Sequence, residues 1–198
     1  MLLYIALVIN AYLCGAVSSA VVICKIMRLD DPRTHGSNNP GTTNVLRLHG
    51  KKAAALTLIG DLLKGLIPVL LAHALQAPEP VVAGAALAAF CGHIFPVFFG
   101  FHGGKGVATL IGVLFGIYWP LGLAFAATWL MTALLFRYSS LAGLLAAAAS
   151  PFYTAVLKPS VYYVSVIGLM AIILFWRHRS NIRNLIAGKE DKIGTDKV

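Results

Sequence analysis

The sequence has few acidic side chains. Among 198 residues there are seven Asp and Glu against 16 Lys and Arg, and charged residues make up only 12% of the chain. No carboxylates are paired in a way that suits magnesium binding or general acid–base catalysis. No His-Glu-x-x-His or Cys/His pattern for zinc occurs, and nothing indicates a Ser–His–Asp triad. The sequence therefore predicts a site without a metal ion or a cofactor.

Cysteine is scarce as well. Cys14, Cys24 and Cys91 are the three cysteines, and all lie in or beside apolar runs. Their number is odd and their spacing does not fit a metal site. We interpret them as small packed hydrophobic residues.

Apolar residues are abundant. They make up 59% of the sequence, against about 45–50% in an average soluble chain, and the mean hydropathy is +0.81. A soluble domain of this length could not bury so much apolar surface in one core. We therefore expect one multi-pass membrane domain over residues 1–198, with no separate soluble module.

Seven apolar runs are candidates for membrane spans. The first, 2–23, is long enough for a hydrocarbon core of about 30 Å. A signal peptide is the alternative, but no basic residue precedes the run and it is too long for a typical apolar signal region. The other runs cover 53–75, 81–101, 107–117, 121–136, 141–157 and 161–176.

The distribution of basic residues suggests the topology. Basic residues are concentrated in 25–52 and again in 177–197, so both segments are expected on the cytoplasmic side. This requires an even number of crossings between them and favours seven spans with the amino terminus outside. Run 107–117 rises only about 16 Å as a helix. It could fuse with the next run across Pro120 as one kinked span, and a five-span arrangement with re-entrant segments is the alternative. The predicted fold is thus an all-α bundle of about seven transmembrane helices with short half-helix elements near the site.

Three polar clusters fall on the predicted cytoplasmic face. The first, 36–47, is rich in Gly, Asn and Pro and predicts a loop, with Thr42 or Thr43 capping a short helix that carries Arg47. An ordinary polar loop between two spans is the alternative.

The second cluster, residues 103–106 with the sequence Gly-Gly-Lys-Gly, leads directly into an apolar helix at Val107. We call it the glycine loop. Glycines allow backbone amides to approach an anion, and a helix amino terminus favours negative charge. The spacing differs from a Walker A loop, since Gly106 stands where the magnesium-binding Ser or Thr belongs. Close helix packing is the alternative reason for the glycines.

The third cluster, 177–183, follows the last run. His178 and Asn181 are three residues apart and would share one helix face, although basic residues here also commonly anchor a protein to anionic lipid. Within the spans, Asp61 and Lys64 are expected to pair, and His93 is interpreted as a packing or hydrogen-bonding residue. Together the clusters indicate a site that binds and orients phosphate groups at the membrane surface.

These motifs, in this order, resemble the bacterial acyl-phosphate:glycerol-3-phosphate acyltransferases of the PlsY family. The resemblance covers 15–190 and departs from the usual pattern at Asn184, often Arg in the family, and at Ser18 and Ser19. Residues 194–198 match nothing in the pattern, and a non-native tail is one interpretation of them. The matching motifs are G-S-x-N-x-G-x-x-N-x-x-R (36–47), G-D-x-x-K-G (60–65), G-H-x-F-P (92–96), G-G-K-G-V-A-T (103–109), H-R-x-N-I (178–182) and G-x-E (188–190).

The resemblance implies transfer of a fatty acyl group from acyl phosphate to the 1-hydroxyl of sn-glycerol 3-phosphate. The products would be lysophosphatidic acid and phosphate, in the first step of bacterial phospholipid synthesis. It also implies a bacterial inner-membrane protein with its active site facing the cytoplasm. Neither acyl-CoA nor acyl carrier protein would be the donor, and no nucleic acid would be a partner. A membrane transporter of a phosphate ester is the main rival, but the two halves of the chain show no convincing inverted repeat.

The resemblance also implies roles for individual residues. The donor phosphate, held by the first cluster, would accept the proton of the attacking hydroxyl, while the glycine loop would hold glycerol 3-phosphate; the reverse division of the two phosphates stays open. The catalytic residues would be Ser37, Arg47, Lys105, His178 and Asn181. The substrate-binding residues would be Gly36, Asn39, Gly41, Thr42, Asn44, Gly103, Gly104, Gly106, Thr109 and Arg179.

Overall fold

The computed structural model describes residues 1–194, and this part of the chain is helical with no strand. Residues 194–198 match nothing in the family pattern. Of these, Gly194 belongs to the described residues and the others lie outside them. A short 3₁₀ turn, Val97–Phe99, follows α4. The helices are α1 (Leu2–Gly15), α2 (Ser19–Ile26), α3 (Thr42–Ala74), α4 (Glu79–Ile94), α5 (Val107–Ile117), α6 (Trp119–Phe136), α7 (Ser139–Leu157), α8 (Val161–Arg177) and α9 (Arg179–Ile186).

The first apolar run forms two helices rather than one. The axes of α1 and α2 are bent by 49° at a short break between them. A break at membrane depth frees backbone groups that need partners inside the protein. Lys64 supplies one, because its Nζ donates to the carbonyl oxygen of Val17 at 2.8 Å.

Helix α3 is interrupted by Gly50. This residue has φ 80° and ψ −176°, a conformation that is readily accessible only to glycine. It separates a short amino-terminal helix, 42–49, from the membrane part of α3. The short helix predicted to carry Arg47 is thereby confirmed, but its capping by Thr42 or Thr43 is wrong, because the N-cap is Gly41 and no side chain caps the helix.

Helix α5 is a separate element from α6. Tyr118 is extended between them, with φ −163° and ψ 114°, so the single kinked span considered as an alternative is wrong. The 11 residues of α5 rise only about 16 Å, and α5 packs closely on α3. A Cβ at Gly112 would meet the backbone of Leu62, and a Cβ at Gly65 would meet the carbonyl of Thr109. Glycines therefore let this half-helix lie against its neighbour.

The number of helices that could span a membrane depends on how the bent pairs are counted. In the described part of the chain, four helices are long and apolar enough by themselves. The number rises to six if two bent pairs each count as one span: α1 with α2, and α8 with α9, which are bent by 60°. Helix α5 occupies the remaining predicted run. The all-α, multi-pass architecture is confirmed.

Helix α4 lies at the centre of the bundle and contacts α1, α3, α5 and α8. Its Phe90 and Ile94 are fully buried in the same apolar core as Leu110 of α5 and Leu174 of α8. This packing brings the end of α4, the start of α5 and the end of α8 to one end of the bundle. The polar segments that join these helices consequently meet there.

Candidate active site

Parts of all three polar clusters meet around one cavity of about 740 Å³. Of the residues proposed from the sequence, Ser37, Asn39, Gly103, Lys105, Arg179 and Asn181 line it. The other described lining residues are Asp31, Arg33, Thr34, Asn38, Pro40, Phe101, His102, Arg177, Ser180, Arg183 and Asn184. The cavity is therefore built from the segment before α3, the glycine loop and the bend between α8 and α9.

The cavity wall is strongly basic. Among its described lining residues, five carry a guanidinium or ammonium group and one, Asp31, carries a carboxylate. That carboxylate is paired with Arg33, whose Nη2 lies 2.7 Å from Asp31 Oδ2. Within residues 1–194, no three His, Cys, Asp or Glu side chains are grouped to hold a metal ion. A wall of this kind attracts and orients anions.

Lys105 is fixed by a chain of side-chain hydrogen bonds. Its Nζ donates to Asn181 Oδ1 at 2.6 Å, and Asn181 Nδ2 donates to Glu190 Oε1 at 2.7 Å. Ser140 Oγ donates to the same carboxylate oxygen at 2.6 Å. Burial lowers the pKa of Lys105 below its ordinary value, Glu190 opposes this shift, and Arg177 adds to it. The result is a preorganised cation on the cavity wall.

Two residues of this arrangement were not singled out from the sequence. Arg177 donates from Nε to the carbonyl oxygen of Gly104 at 3.1 Å and from Nη2 to that of Gly103 at 2.7 Å. Its position directly after an apolar run looked like that of an ordinary topological anchor. Glu190 is the last residue of the G-x-E motif, and no local sequence pattern links it to Asn181.

The structure gives the glycine loop a packing reason for its glycines. Gly104 N donates to the carbonyl oxygen of His93 at 3.2 Å. A Cβ at Gly103 would meet that carbonyl, and one at Gly104 would meet the His93 ring. Gly106 has φ 91°, where other residues are strained. The close-packing alternative thus accounts for these glycines, while Gly103 and Lys105 reach the cavity.

The first cluster is organised by Asn44. This residue is 3% exposed, and its Nδ2 donates to the carbonyl oxygens of Pro32 at 2.8 Å and His35 at 3.2 Å. Its Oδ1 accepts from Ser37 N at 3.0 Å. Asn44 therefore uses its amide to shape the loop, and through the loop it places Ser37 and Asn39 on the wall.

Other proposed residues of the first cluster support the loop from outside the cavity. A Cβ at Gly36 would meet Asn44, and one at Gly41, which precedes α3, would meet Asn39. The Thr42 hydroxyl is buried without a hydrogen-bond partner among the described residues. Arg47 is exposed, with Nη1 3.5 Å from Asp191 Oδ2 and Nη2 donating to the Asp191 carbonyl at 3.3 Å.

His178 and Thr109 also lie away from the cavity wall. His178 is 3% exposed and its Nδ1 donates to the carbonyl oxygen of Leu174 at 2.9 Å, which fixes the ring at the bend between α8 and α9. Its Nε2 points toward Gly143 of α7. Thr109 is fully buried against α3 at Gly65. His178 can thus act on the cavity through the backbone that it holds, whereas the Thr109 hydroxyl has no hydrogen-bond partner among the described residues.

The predicted pair inside the membrane is confirmed. Lys64 Nζ lies 2.8 Å from Asp61 Oδ1, and both side chains are almost fully buried. His93 Nδ1 lies 3.7 Å from the same oxygen. These three residues lie next to the glycine loop on its membrane side, since His93 also contacts Gly104.

Comparisons with known proteins identify the family of the chain. A family model described as glycerol-3-phosphate acyltransferase matches residues 5–188. The glycerol-3-phosphate acyltransferase of Thioalkalivibrio sulfidiphilus is 55% identical over 194 residues, which cover 98% of this chain and 96% of the relative. That of Methylococcus capsulatus is 50% identical over 188 residues, covering 95% of each chain.

Two solved structures are also similar. The crystal structure of PlsY, an integral membrane glycerol 3-phosphate acyltransferase, in its glycerol 3-phosphate form has a TM-score of 0.92 and 39% identity. The match covers 97% of this chain and 96% of that one. The lysophosphatidic acid form has a TM-score of 0.90 and 38% identity, with the same coverage.

Proposed function

The chain belongs to the glycerol-3-phosphate acyltransferase family, and from this premise we propose that it transfers a fatty acyl group from acyl phosphate to the 1-hydroxyl of sn-glycerol 3-phosphate. The products are lysophosphatidic acid and inorganic phosphate. The basic cavity at one end of the membrane bundle is the observation that carries the proposal. The PlsY structures in glycerol 3-phosphate and lysophosphatidic acid forms support it.

The reaction requires little from the protein beyond binding and orientation. The hydroxyl oxygen of glycerol 3-phosphate attacks the acyl carbon, and the bond from that carbon to the phosphate oxygen breaks. The departing phosphate takes the hydroxyl proton, so neither an enzyme nucleophile nor a separate base is needed. Fixed cations that hold both phosphates and stabilise the developing charge supply the catalysis.

The two phosphates are assigned to different segments of the cavity wall. Lys105 and Asn181, beside the glycine loop, bind glycerol 3-phosphate, since they present a fixed ammonium group and an amide to the cavity. Ser37 and Asn39, from the segment before α3, bind the acyl phosphate, with Arg179 available to either phosphate.

The proposed catalytic residues that are away from the wall act indirectly. His178 holds the bend from which α9 carries Asn181 into the cavity. Arg47 holds the segment after α9 through Asp191. We assign both as positioning residues, because neither belongs to the cavity lining.

The protein is a multi-pass membrane protein, and we propose the bacterial inner membrane, with the cavity facing the cytoplasm. The basic segments 25–52 and 177–192 adjoin the cavity end of the bundle, as the positive-inside rule requires. The acyl donor then arrives from the bilayer and the charged acceptor arrives from the aqueous side.

Acyl transfer by the purified protein tests this proposal. Palmitoyl phosphate and radiolabelled glycerol 3-phosphate, without added metal, should give lysophosphatidic acid and phosphate in equal amounts. Palmitoyl-CoA and palmitoyl-acyl carrier protein should give no product. Phosphate release without lysophosphatidic acid would indicate a phosphatase. Uptake of labelled glycerol 3-phosphate into proteoliposomes without acyl transfer would indicate a transporter.

A further inference from the structure

A buried imidazole lies directly against the glycine loop. His93 is in the last turn of α4, and its carbonyl oxygen accepts the hydrogen bond of Gly104 N at 3.2 Å. Its ring edge occupies the space into which a Cβ on Gly104 would project. The side chain and the backbone of one residue therefore both limit how deeply the loop can lie.

The other edge of the same ring faces a fixed carboxylate. His93 Nδ1 lies 3.7 Å from Asp61 Oδ1, and Asp61 is paired with Lys64 at 2.8 Å. Lys64 in turn donates to the carbonyl of Val17 at 2.8 Å, in the break between α1 and α2. Charges at membrane depth are costly; here both belong to α3, and they lie beside the ring without a hydrogen bond to His93 Nδ1 among the described residues.

The loop is held from the aqueous side as well. Arg177 donates to the carbonyl oxygens of Gly103 and Gly104, whereas His93 contacts the same residues from within the bundle. Lys105 is the next residue, and its Nζ reaches Asn181 Oδ1 at 2.6 Å. A shift of the loop toward the space now filled by the ring would draw Lys105 away from Asn181.

We propose that His93, whose ring lies between Asp61 and Gly104, is a positioning residue that sets the depth of the glycine loop and so places Lys105 for the acceptor phosphate. The inference rests on the proposed function, because it assigns that phosphate to Lys105. His93 touches no substrate and transfers no proton in this role. It acts by filling space beneath Gly104 while its carbonyl holds Gly104 N.

A double-mutant cycle between His93 and Gly104 tests the proposal. His93→Asn keeps an amide near the Nδ1 position facing Asp61 but empties the space beneath Gly104. It should raise the KM for glycerol 3-phosphate about tenfold, while the KM for palmitoyl phosphate stays within about twofold. Gly104→Ala alone should also raise the KM for glycerol 3-phosphate, because its Cβ meets the ring. In the His93→Asn background the same alanine should have little further effect.

Two further variants test whether a general loss of stability could explain the changes in KM. His93→Gln restores side-chain volume beneath Gly104, so it should recover most of the affinity for glycerol 3-phosphate. Ser150→Ala removes a buried hydroxyl in α7, where Ser150 Oγ donates to the carbonyl of Ala147 at 2.8 Å. It should lower thermal stability without changing either KM. Each variant is first checked for monodisperse elution in detergent, and if His93→Asn does not fold, His93→Ser takes its place in the cycle.

The outcomes separate the inference from the function. If Gly104→Ala raises the KM for glycerol 3-phosphate by the same factor in the wild type and in the His93→Asn background, His93 does not position the loop. A fall in kcat with both KM values unchanged would also overturn the inference. Both results leave the proposed function intact, because wild-type acyl transfer is measured in the same assay. Its absence in the wild type would instead defeat the proposed function.

Discussion

The ammonium group of Lys105 donates a hydrogen bond of 2.6 Å to the side-chain oxygen of Asn181, 76 residues further along the chain. This contact joins the glycine loop to α9, and the bond is charge-assisted. Through Glu190 and Ser140 it continues into α7. Two motifs that look independent in the sequence therefore act as one unit at the cavity.

Replacing Lys105 by alanine removes the fixed cation from this unit. A hydrogen bond to a charged group contributes about 1.5–3 kcal/mol, so we expect kcat/KM for glycerol 3-phosphate to fall by roughly 10- to 100-fold. Lys158→Ala is the matched control, because Lys158 follows α7 at the opposite end of the bundle and lies 4.0 Å from Glu79. The measurement is the rate of lysophosphatidic acid formation by each of the two purified variants. Equal activity in both would remove Lys105 from the site.

The rate should depend on the charge of Lys105 at alkaline pH. Burial lowers the pKa of this side chain, and the ammonium form is the one that binds phosphate. Activity should therefore be present below the lowered pKa and be lost as the pH rises through it, before the ordinary lysine value of about 10.4.

Lys105→Arg provides the control for the pH profile. A guanidinium group keeps its charge at all pH values tested, so the alkaline decline of kcat/KM should move upward even if the rate is lower. A decline at the same pH in both proteins would assign it to another group.

Activity should fall both when the Asn181 side chain is removed and when it is replaced by a charged one. Asn181→Ala removes the acceptor of Lys105 Nζ and one of the two hydrogen bonds that Glu190 Oε1 accepts, and a hydrogen bond to a charged group contributes about 1.5–3 kcal/mol. We expect a roughly tenfold or greater loss of kcat/KM. Asn181→Asp would place a second carboxylate beside Glu190 Oε1, now 2.7 Å from Asn181 Nδ2, and should lose at least as much activity. Near-wild-type kinetics for Asn181→Asp would exclude the hydrogen-bond chain.

Alanine variants of Asn44 and Ser37 should distinguish an effect on loop stability from an effect on substrate binding. Asn44→Ala deletes three hydrogen bonds, which together stabilise the loop by about 2–3 kcal/mol, so the melting temperature in detergent should fall. Ser37→Ala removes a hydroxyl from the cavity wall and should reduce activity with an unchanged melting temperature. Reduced activity for Asn44→Ala with full thermal stability would instead indicate direct contact with substrate.

Local patterns were sufficient for the architecture. Apolar runs bounded by charge predicted the helices, and glycine before Val107 predicted the start of α5, because desolvation acts on each segment separately. The bend between α1 and α2 was not predicted, since Lys64 of α3 satisfies the backbone there.

The site was only partly predictable. Ser37, Asn39, Lys105 and Asn181 were proposed from motifs and line the cavity. His178 and Arg47 belong to the same motifs but lie off the wall. Arg177 lines the cavity and holds the glycine loop, although it resembles any basic residue at a helix end. A motif states which residue types occur together, but it does not state which of them point inward.

The amino-acid sequence by itself determined a polytopic α-helical membrane protein and the order of its phosphate-binding motifs, because hydropathy and glycine chemistry are local properties. The tertiary structure alone decided that Lys105 meets Asn181, that Asn44 serves the loop and that His93 lies beneath Gly104. Those outcomes depend on how α4, α5 and α8 pack, and packing is set by shape complementarity between segments far apart in the chain.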